Sequence, residues 1–329
     1  MKSIVGRRAF VGTLAGGLLA APLAGEAQRP KGPRRIAALL DFSPPPPGSP
    51  SLIREALREL GYQDGQNVSL DLRWTDGQSD RSSDLADELV RQSPDVIVTG
   101  ANESTAAVMR ATKTIPIVML LAVNPVQSRF ISSLARPGGN VTGVTVDVGP
   151  EIWAKRLEIL KEVAPTVSRV SVLWSPVWGR PPAYWDEVQR GARKLGITLR
   201  SVEVRTPRDV DAALVESGPD RGLVVLGDPI TLAQVRPFVD TVHGKGLIAV
   251  YGARNWVEAG GLVSYGPDVP ALVRRAMALV DRVLKGARPA NLPVEQPTKF
   301  ELVVNAKAAR ALGLAIPQSL LLRADQVIE

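Results

Sequence analysis

MLLAVNPVQSRFISSLARPGGNVTGVTVD, residues Met119 to Asp147, decides how the chain is read. The run Ile115 to Val123 is apolar and β-branched, interrupted at Pro116 and closed by Asn124-Pro125, which reads as a buried strand ended by a turn. Val141 to Val148 is a second strand-like run, and the segment between them reads as a short amphipathic helix stopped by Pro137-Gly138-Gly139. The same rhythm of buried strand, loop and helix recurs on both sides. Near-continuous apolar strands alternating with helices indicate parallel sheets covered on both faces. The stretch therefore reads as the end of one α/β lobe and the first crossing into another.

Upstream, strands are expected at 35–42, 68–74 and 95–99, and helices from Ser49-Pro50 to Leu60, from Asp80 through Val90, and after Gly100. Downstream, a helix over 151–163 precedes strands at 169–174, 198–204, 222–227 and 247–251, with helices near 182–195, 208–217 and 231–245 between them. Gly260 to Gly266 reads as one more strand. Asp268 caps a long helix whose Leu272, Val273, Ala276, Val280, Val283 and Leu284 recur at helical spacing, stopped by Gly286. A strand at 300–305 and a helix at 306–312 follow a proline-rich connector. The fold class is thus α/β, with two lobes of parallel sheet between which the chain crosses more than twice. Lobe 1 is expected to hold 35–147 plus 261–288, and lobe 2 150–252 plus 296–322, with crossings near 146–150, 252–260 and 286–297.

Residues 1–27 read as a signal peptide. Lys2, Arg7 and Arg8 form a positive start, Ala9 to Ala24 is an apolar run, and Gly25-Glu26-Ala27 supplies small residues for cleavage near Ala27. Arg7-Arg8-Ala9-Phe10 resembles a twin-arginine signal, though Gly6 stands where Ser or Thr is usual; a general secretory signal is the alternative. Either signal implies a periplasmic, soluble mature chain.

Composition narrows the chemistry. The 329 residues suit two domains; 45% are hydrophobic and 22% charged, as in ordinary globular proteins. There is no cysteine, so disulfides, thiolate nucleophiles and thiolate metal sites are excluded. The one histidine, His243, reads as a polar residue near the end of a surface helix. The net charge of +7 is spread along the chain, without the basic stripe of a nucleic-acid binder. No Walker phosphate loop, dinucleotide fingerprint or nucleophile elbow occurs. No catalytic residue, metal ligand or cofactor is expected.

Candidate ligand contacts lie where parallel strands end, because open α/β sheets bind ligands beyond the carboxyl ends of their strands. Asn102, Ser104 and Thr105 follow one strand and begin a helix, where free N–H groups favour an anion; plain helix capping is the competing reading. Trp174, Trp178, Tyr184 and Trp185 cluster after a strand of the second lobe. Of these Trp178 is the candidate wall for a flat, apolar ligand group, against a packing role at the hinge. Tyr184 and Trp185 read as packing. Ser43, Asn124, Asp228, Tyr251 and Tyr265 complete the set of candidate ligand contacts, and Asp41 and Asp147 are further carboxylates at strand ends.

Several motifs resemble one family along essentially the whole mature chain. They are Gly61-Tyr62 with Gly65-Gln66-Asn67-Val68, Arg136-Pro137-Gly138-Gly139-Asn140-Val141-Thr142-Gly143-Val144, Ala259-Gly260-Gly261-Leu262-Val263-Ser264-Tyr265-Gly266, Leu292-Pro293-Val294-Glu295-Gln296-Pro297-Thr298-Lys299-Phe300-Glu301-Leu302, and Lys307-Ala308-Ala309-Arg310-Ala311-Leu312-Gly313-Leu314. Together they are similar to the ABC-transporter substrate-binding proteins of the uncharacterised, TrpX-like group. The resemblance implies a type I periplasmic-binding-protein fold, with two Rossmann-like lobes joined by a three-crossover hinge, a small organic ligand held between the lobes, and an ABC permease with its ATPase as membrane partners. Aromatic amino acids are among the ligands known in that family. A monomer is expected. One loop departs from the pattern: Ser175-Pro176-Val177-Trp178-Gly179-Arg180-Pro181 stands where relatives carry an Asn-Pro-Asn-like sequence, so ligand identity does not carry over. The alternatives are a ligand-binding sensor for a signalling partner and an exported two-lobed α/β enzyme.

Overall fold

The computed structural model describes residues 32–45, 51–147, 149, 151–174, 182–206, 209, 214, 221–225, 229–232 and 234–329. Two sheets organise them. The first is built from β1 (Arg34–Leu40), β2 (Val68–Trp74), β3 (Val96–Thr99), β4 (Ile117–Ala122) and β5 (Val141–Thr145). Its order is β2-β1-β3-β4-β5, and every pair is parallel. Helices α1 (Leu52–Glu59), α2 (Arg81–Arg91) and α3 (Asn102–Ala111) are its crossovers.

The chain then enters α4 (Glu151–Val163) and a second sheet of β6 (Arg169–Trp174), β7 (Thr198–Glu203), β8 (Arg221–Val225), β9 (Ile248–Tyr251), β10 (Val263–Pro267), β11 (Phe300–Asn305) and β12 (Gln326–Ile328). Its order is β12-β11-β10-β9-β8-β6-β7, parallel except where β10 meets β11. The helices among these strands are α5 (Pro182–Lys194), α6 (Pro229–Leu232), α7 (Val235–Gly244), α8 (Arg254–Glu258), α9 (Val269–Leu284), α10 (Ala306–Ala311) and α11 (Gln318–Leu321). His243 lies in the last turn of α7.

Strand alternation explains the packing. In β1, Ile36, Ala38 and Leu40 join one core with α1 and α9, while Ala37 and Leu39 join another with α2 and α3. The second sheet repeats the arrangement: Val250 faces the α4 side, and Ala249 and Tyr251 face α7 and α8. Helix α9 buries Leu272, Val273, Met277, Leu279 and Val280 against the first sheet. Each such side chain contributes about 1.5–3 kcal/mol of burial.

The structure departs from the sequence reading in three places. Residues 125–137 form turns rather than a short helix: Ser128 N–H donates to Asn124 O at 2.9 Å and Phe130 N–H to Pro125 O at 2.9 Å. Arg129 at φ 59° then takes the left-handed region and stops propagation. Helix α1 is capped by Ser51, whose side chain accepts from Arg54 N–H; Ser49-Pro50, the expected start, lies outside the described residues.

The third departure concerns the lobes. Residues 261–266 were expected in lobe 1, yet β10 pairs with β9 and β11 of the second sheet. After α8 the chain reverses at once: Gly261 N–H donates to Trp256 O at 2.8 Å and Gly260 has φ 113°. The chain is therefore turned back into the sheet it has just left, and the second crossing falls at Pro267-Asp268 rather than at 252–260. The expected helix near 208–217 lies almost wholly outside the described residues.

The second and third crossings are tied together. Asp268 N–H donates to Lys299 O at 3.1 Å, and Lys299 Nζ meets the Asp268 carboxylate at 2.9 Å. Asp268 also caps α9 by accepting from Ala271 N–H at 2.9 Å. Beside them Arg254 pairs with the buried Glu301 at 2.8 Å.

Gly143 in β5 sits where two strands approach closely. Its φ is +141°, and a Cβ there would lie 2.3 Å from Met119 O and 2.4 Å from Met119 N. Both contacts are backbone, so neither can swing aside. Gly143→Ala should destabilise the protein by roughly 3 kcal/mol or more in urea unfolding. A loss under about 0.5 kcal/mol, the usual range for a surface change, would contradict this account of the β4–β5 pair.

Candidate ligand-binding site

The carboxyl ends of the first sheet's strands carry one connected polar network. Beyond β1, the Asp41 carboxylate is only 2% exposed. It accepts from Ser104 N–H at 2.9 Å and from the Ser104 hydroxyl at 2.6 Å. The amino end of α3 is thus closed by the chain's own anion. Burial raises the Asp41 pKa, against the lowering effect of the Ser104 donors. Thr105 is fully buried; its hydroxyl donates to Ala101 O at 2.6 Å and lies 2.7 Å from the Thr99 hydroxyl oxygen. Ser104 has no exposed surface either. Both residues expected to anchor a ligand anion are engaged in holding the strand-to-helix turn.

Asn102 works across to the next strand. Its Nδ2 donates to Val123 O and its Oδ1 accepts from Val123 N–H, both at 2.9 Å. The adjacent Asn124 takes φ 49°, and its N–H donates to both oxygens of Asp147, at 2.9 and 2.7 Å. Burial raises the Asp147 pKa, opposed by Asn124 N–H and the Thr145 hydroxyl. The Asn124 side-chain amide is half-buried at this edge and makes no hydrogen bond among the described residues. Ser43 is half-buried two residues beyond Asp41. The structure therefore brings Asn102, Asn124 and Asp147 together beyond β4 and β5, with Asp41 and Ser43 beyond β1 and Ser104 in the first turn of α3.

The second sheet's edge differs. Trp178 and Asp228 lie outside the described residues. Trp174 ends β6 with its indole N–H donating to the Ser201 hydroxyl at 2.8 Å, and Trp185 packs on the core beside α4. Tyr251 is 0% exposed and stacks on Trp256 with ring centroids 5.2 Å apart. A Cβ on Gly261 would lie 2.6 Å from the Tyr251 ring, so this ring points back into the lobe rather than out from the strand end. Tyr265 is half-buried, stacks on Phe300 at 6.2 Å, and lines a groove of ≈550 Å³ with Glu151, Glu187, Gly191 and Leu195.

Arg156 is the residue that sequence reasoning passed over. It is 4% exposed, with Nε donating to Tyr265 O at 2.8 Å and Nη2 to Gly252 O at 3.5 Å. Burial lowers its pKa to about 10. The signal was present: Ile152, Arg156 and Leu160 are four residues apart, which puts the arginine on the apolar stripe of α4. Among the described residues no group of three or more His, Asp or Glu could hold a metal ion, and no helix is long and apolar enough to cross a membrane.

Two sheets of mainly parallel strands, joined by three crossings and lined at their carboxyl ends with polar groups, define the class of two-lobed binding proteins. The model of the ABC transporter substrate binding protein family matches residues 51–328, and the chain belongs to that family. It is a solute-binding protein of an ABC transporter, with the type I periplasmic-binding-protein fold. It is 26% identical over 262 residues to a tyrosine-binding protein of Clostridioides difficile, covering 79% of this chain and 75% of that one. Among solved structures it is similar to an ABC domain in complex with L-Trp from Streptococcus pneumoniae, at 28% identity and TM-score 0.78, over 90% of this chain and 100% of that one. A conserved domain protein of Vibrio cholerae gives 26% identity and TM-score 0.78 over the same shares.

The Asp41 geometry sets a test. Burial lifts its folded-state pKa above the unfolded value, so folding favours the protonated form. The stability this lends is fully present below the unfolded carboxylate range near ~4 and is lost as pH rises through the raised folded value. In Asp41→Asn the amide oxygen can still accept from Ser104 N–H, while its NH2 donates to Ser104 Oγ, whose proton goes to Ala101 O. Relative to wild type, Asp41→Asn should therefore gain stability between pH 4 and pH 7. Asp41→Ala should cost about 2–4 kcal/mol at pH 7 through unsatisfied Ser104 donors and a cavity. Urea titrations at the two pH values check both; a relative stability of Asp41→Asn that falls with pH would reverse the assignment.

Proposed function

We propose that the chain is exported, captures an aromatic amino acid between its lobes, and delivers it to an ABC permease driven by its ATPase. The observation that carries the ligand class is the pair of relatives at 26–28% identity, one a tyrosine-binding protein and the other in complex with L-Trp, each matched over about four-fifths or more of this chain. The charged start and apolar run of residues 1–27 support export by a cleaved signal, and hence a periplasmic location. Capture and release require no bond to break, and no catalytic role is assigned to any residue. A monomer suffices, since both walls of the site come from one chain.

On the first lobe, Asn124 and Ser43 are the contacts best suited to the ligand: both are half-buried at strand ends, and the Asn124 amide has donor and acceptor capacity to offer. Asn102, Ser104 and Thr105 act behind them by fixing the loops. On the second lobe, the sequence offers Trp178 as the flat wall for an aromatic ring and Asp228 as a polar contact. Tyr251 and Tyr265 support this edge from within the lobe and from its outer groove.

Calorimetric titration with L-tyrosine, L-tryptophan and a panel of other amino acids and sugars tests the reading. One-to-one binding of an aromatic amino acid is expected, together with a smaller radius of gyration by small-angle scattering as the lobes close. Binding of a sugar with no response to any amino acid would overturn it. Trp178→Ala should weaken the aromatic ligand by tenfold or more, about 1.4 kcal/mol. An affinity within twofold of wild type would remove Trp178 from the site.

A further inference from the structure

Helix α4 carries two donor side chains whose capacity is only partly met among the described residues. The Arg156 guanidinium has five N–H groups, of which two reach the carbonyls of Tyr265 and Gly252. Its Nη1 has no partner, and no carboxylate pairs with it, among the described residues. One turn earlier, the Trp153 indole Nε1 is buried and also without a hydrogen-bond partner. The guanidinium carbon lies 4.8 Å from the centre of that same indole ring. The cation–π contact offsets part of the cost of burial, but it accepts no hydrogen bond. The exposed cation beside it is treated differently: Lys155, the preceding residue, pairs with Glu158 at 2.8 Å. A buried guanidinium left without an anion is costly, and a donor-only cluster fits an anionic guest.

The location points the same way. Gly252 lies just beyond the carboxyl end of β9, at the edge where open α/β sheets meet their ligands, and Tyr265, midway along β10, is level with it where the β9–β10 pairing ends. Gly266 brings the strand ends close: a Cβ there would collide with Gly252 O and would lie 3.4 Å from Arg156 Nη2. On the first lobe, among the described residues, the amino end of α3 is filled by Asp41.

We infer that Arg156, assisted by the Trp153 indole N–H, is the subsite on the second lobe that receives the ligand's carboxylate. The inference rests on the amino-acid reading above and deepens it: the ring is read by aromatic packing, the acid group by α4. Because α4 follows the first crossing directly, a carboxylate held there also ties the ligand to the segment about which the lobes move.

The experiment compares L-tyrosine with tyramine, which lacks the carboxylate, and with 3-(4-hydroxyphenyl)propionate, which lacks the amine; L-tryptophan, tryptamine and indole-3-propionate form the parallel set. Affinities are measured by titration, with competition for weak ligands, in wild type, Arg156→Gln and Trp153→Phe. Wild type should bind the amino acid about 100-fold more tightly than the decarboxylated amine. In Arg156→Gln the amino acid should fall to the level of the amine, while the amine stays within threefold of wild type. Trp153→Phe keeps the ring and removes only the N–H, and it should weaken the two acids about fivefold and leave the amine unchanged. It also serves as the test if Arg156→Gln does not fold. An equal loss for acid and amine, or no loss for the acid, in whichever variant folds would overturn the subsite while leaving the amino-acid reading intact. Failure of wild type to bind either amino acid would overturn that reading, and the subsite with it.

Discussion

A parallel sheet whose two faces are both buried under helices can meet a ligand only along the carboxyl ends of its strands, and both sheets of this protein are built under that constraint. Ile36, Ala38 and Leu40 pack to one side of β1 while Ala37 and Leu39 pack to the other, and β9 divides its residues in the same way. Backbone carbonyls and loop side chains at the strand ends are what remains for recognition. On the first sheet most of that polarity is engaged internally. Asp41 closes the end of α3, Asn102 grips Val123, and Asp147 holds the Asn124 N–H. These bonds give the edge a fixed shape, so its half-buried side chains are presented from loops that have little freedom to adapt.

The connections between lobes are fastened in different ways. Two of the three crossings are hydrogen-bonded to each other through Asp268 and Lys299, and the Arg254–Glu301 pair stands beside them. Glu301 is buried and its pKa is raised by that burial, with Arg254 pulling it down. The first crossing instead leads directly into α4, whose Arg156 fastens to the ends of β9 and β10. Short connections between hydrogen-bonded elements are the arrangement that hinge-type closure uses.

Much of this was legible in the sequence because the signals were local. The α9 stripe from Leu272 to Leu284, its Asp268 cap and its Gly286 stop gave the helix as it stands. The strands at 68–74 and 169–174 and the helix at 151–163 were equally plain. What was misread depended on partners distant in sequence. The strand at 263–267 could be assigned to a sheet only by knowing its hydrogen-bonding neighbours, one of them, β11, more than thirty residues on. Ser104 and Thr105 have the residue types of an anion site, but Asp41, 63 residues earlier, occupies that position. Arg156 was overlooked because Lys155-Arg156 reads as surface charge, although its spacing from Ile152 and Leu160 placed it inside.

The central claim is that this protein carries an aromatic amino acid. Native mass spectrometry of the protein freshly purified from its export compartment, under conditions that preserve non-covalent complexes, tests it most directly. The account predicts an adduct, lost on gentle activation, whose released small molecule has the mass of tyrosine or tryptophan. An adduct whose released molecule is a sugar, or any compound without both an amino-acid head group and an aromatic ring, would contradict it.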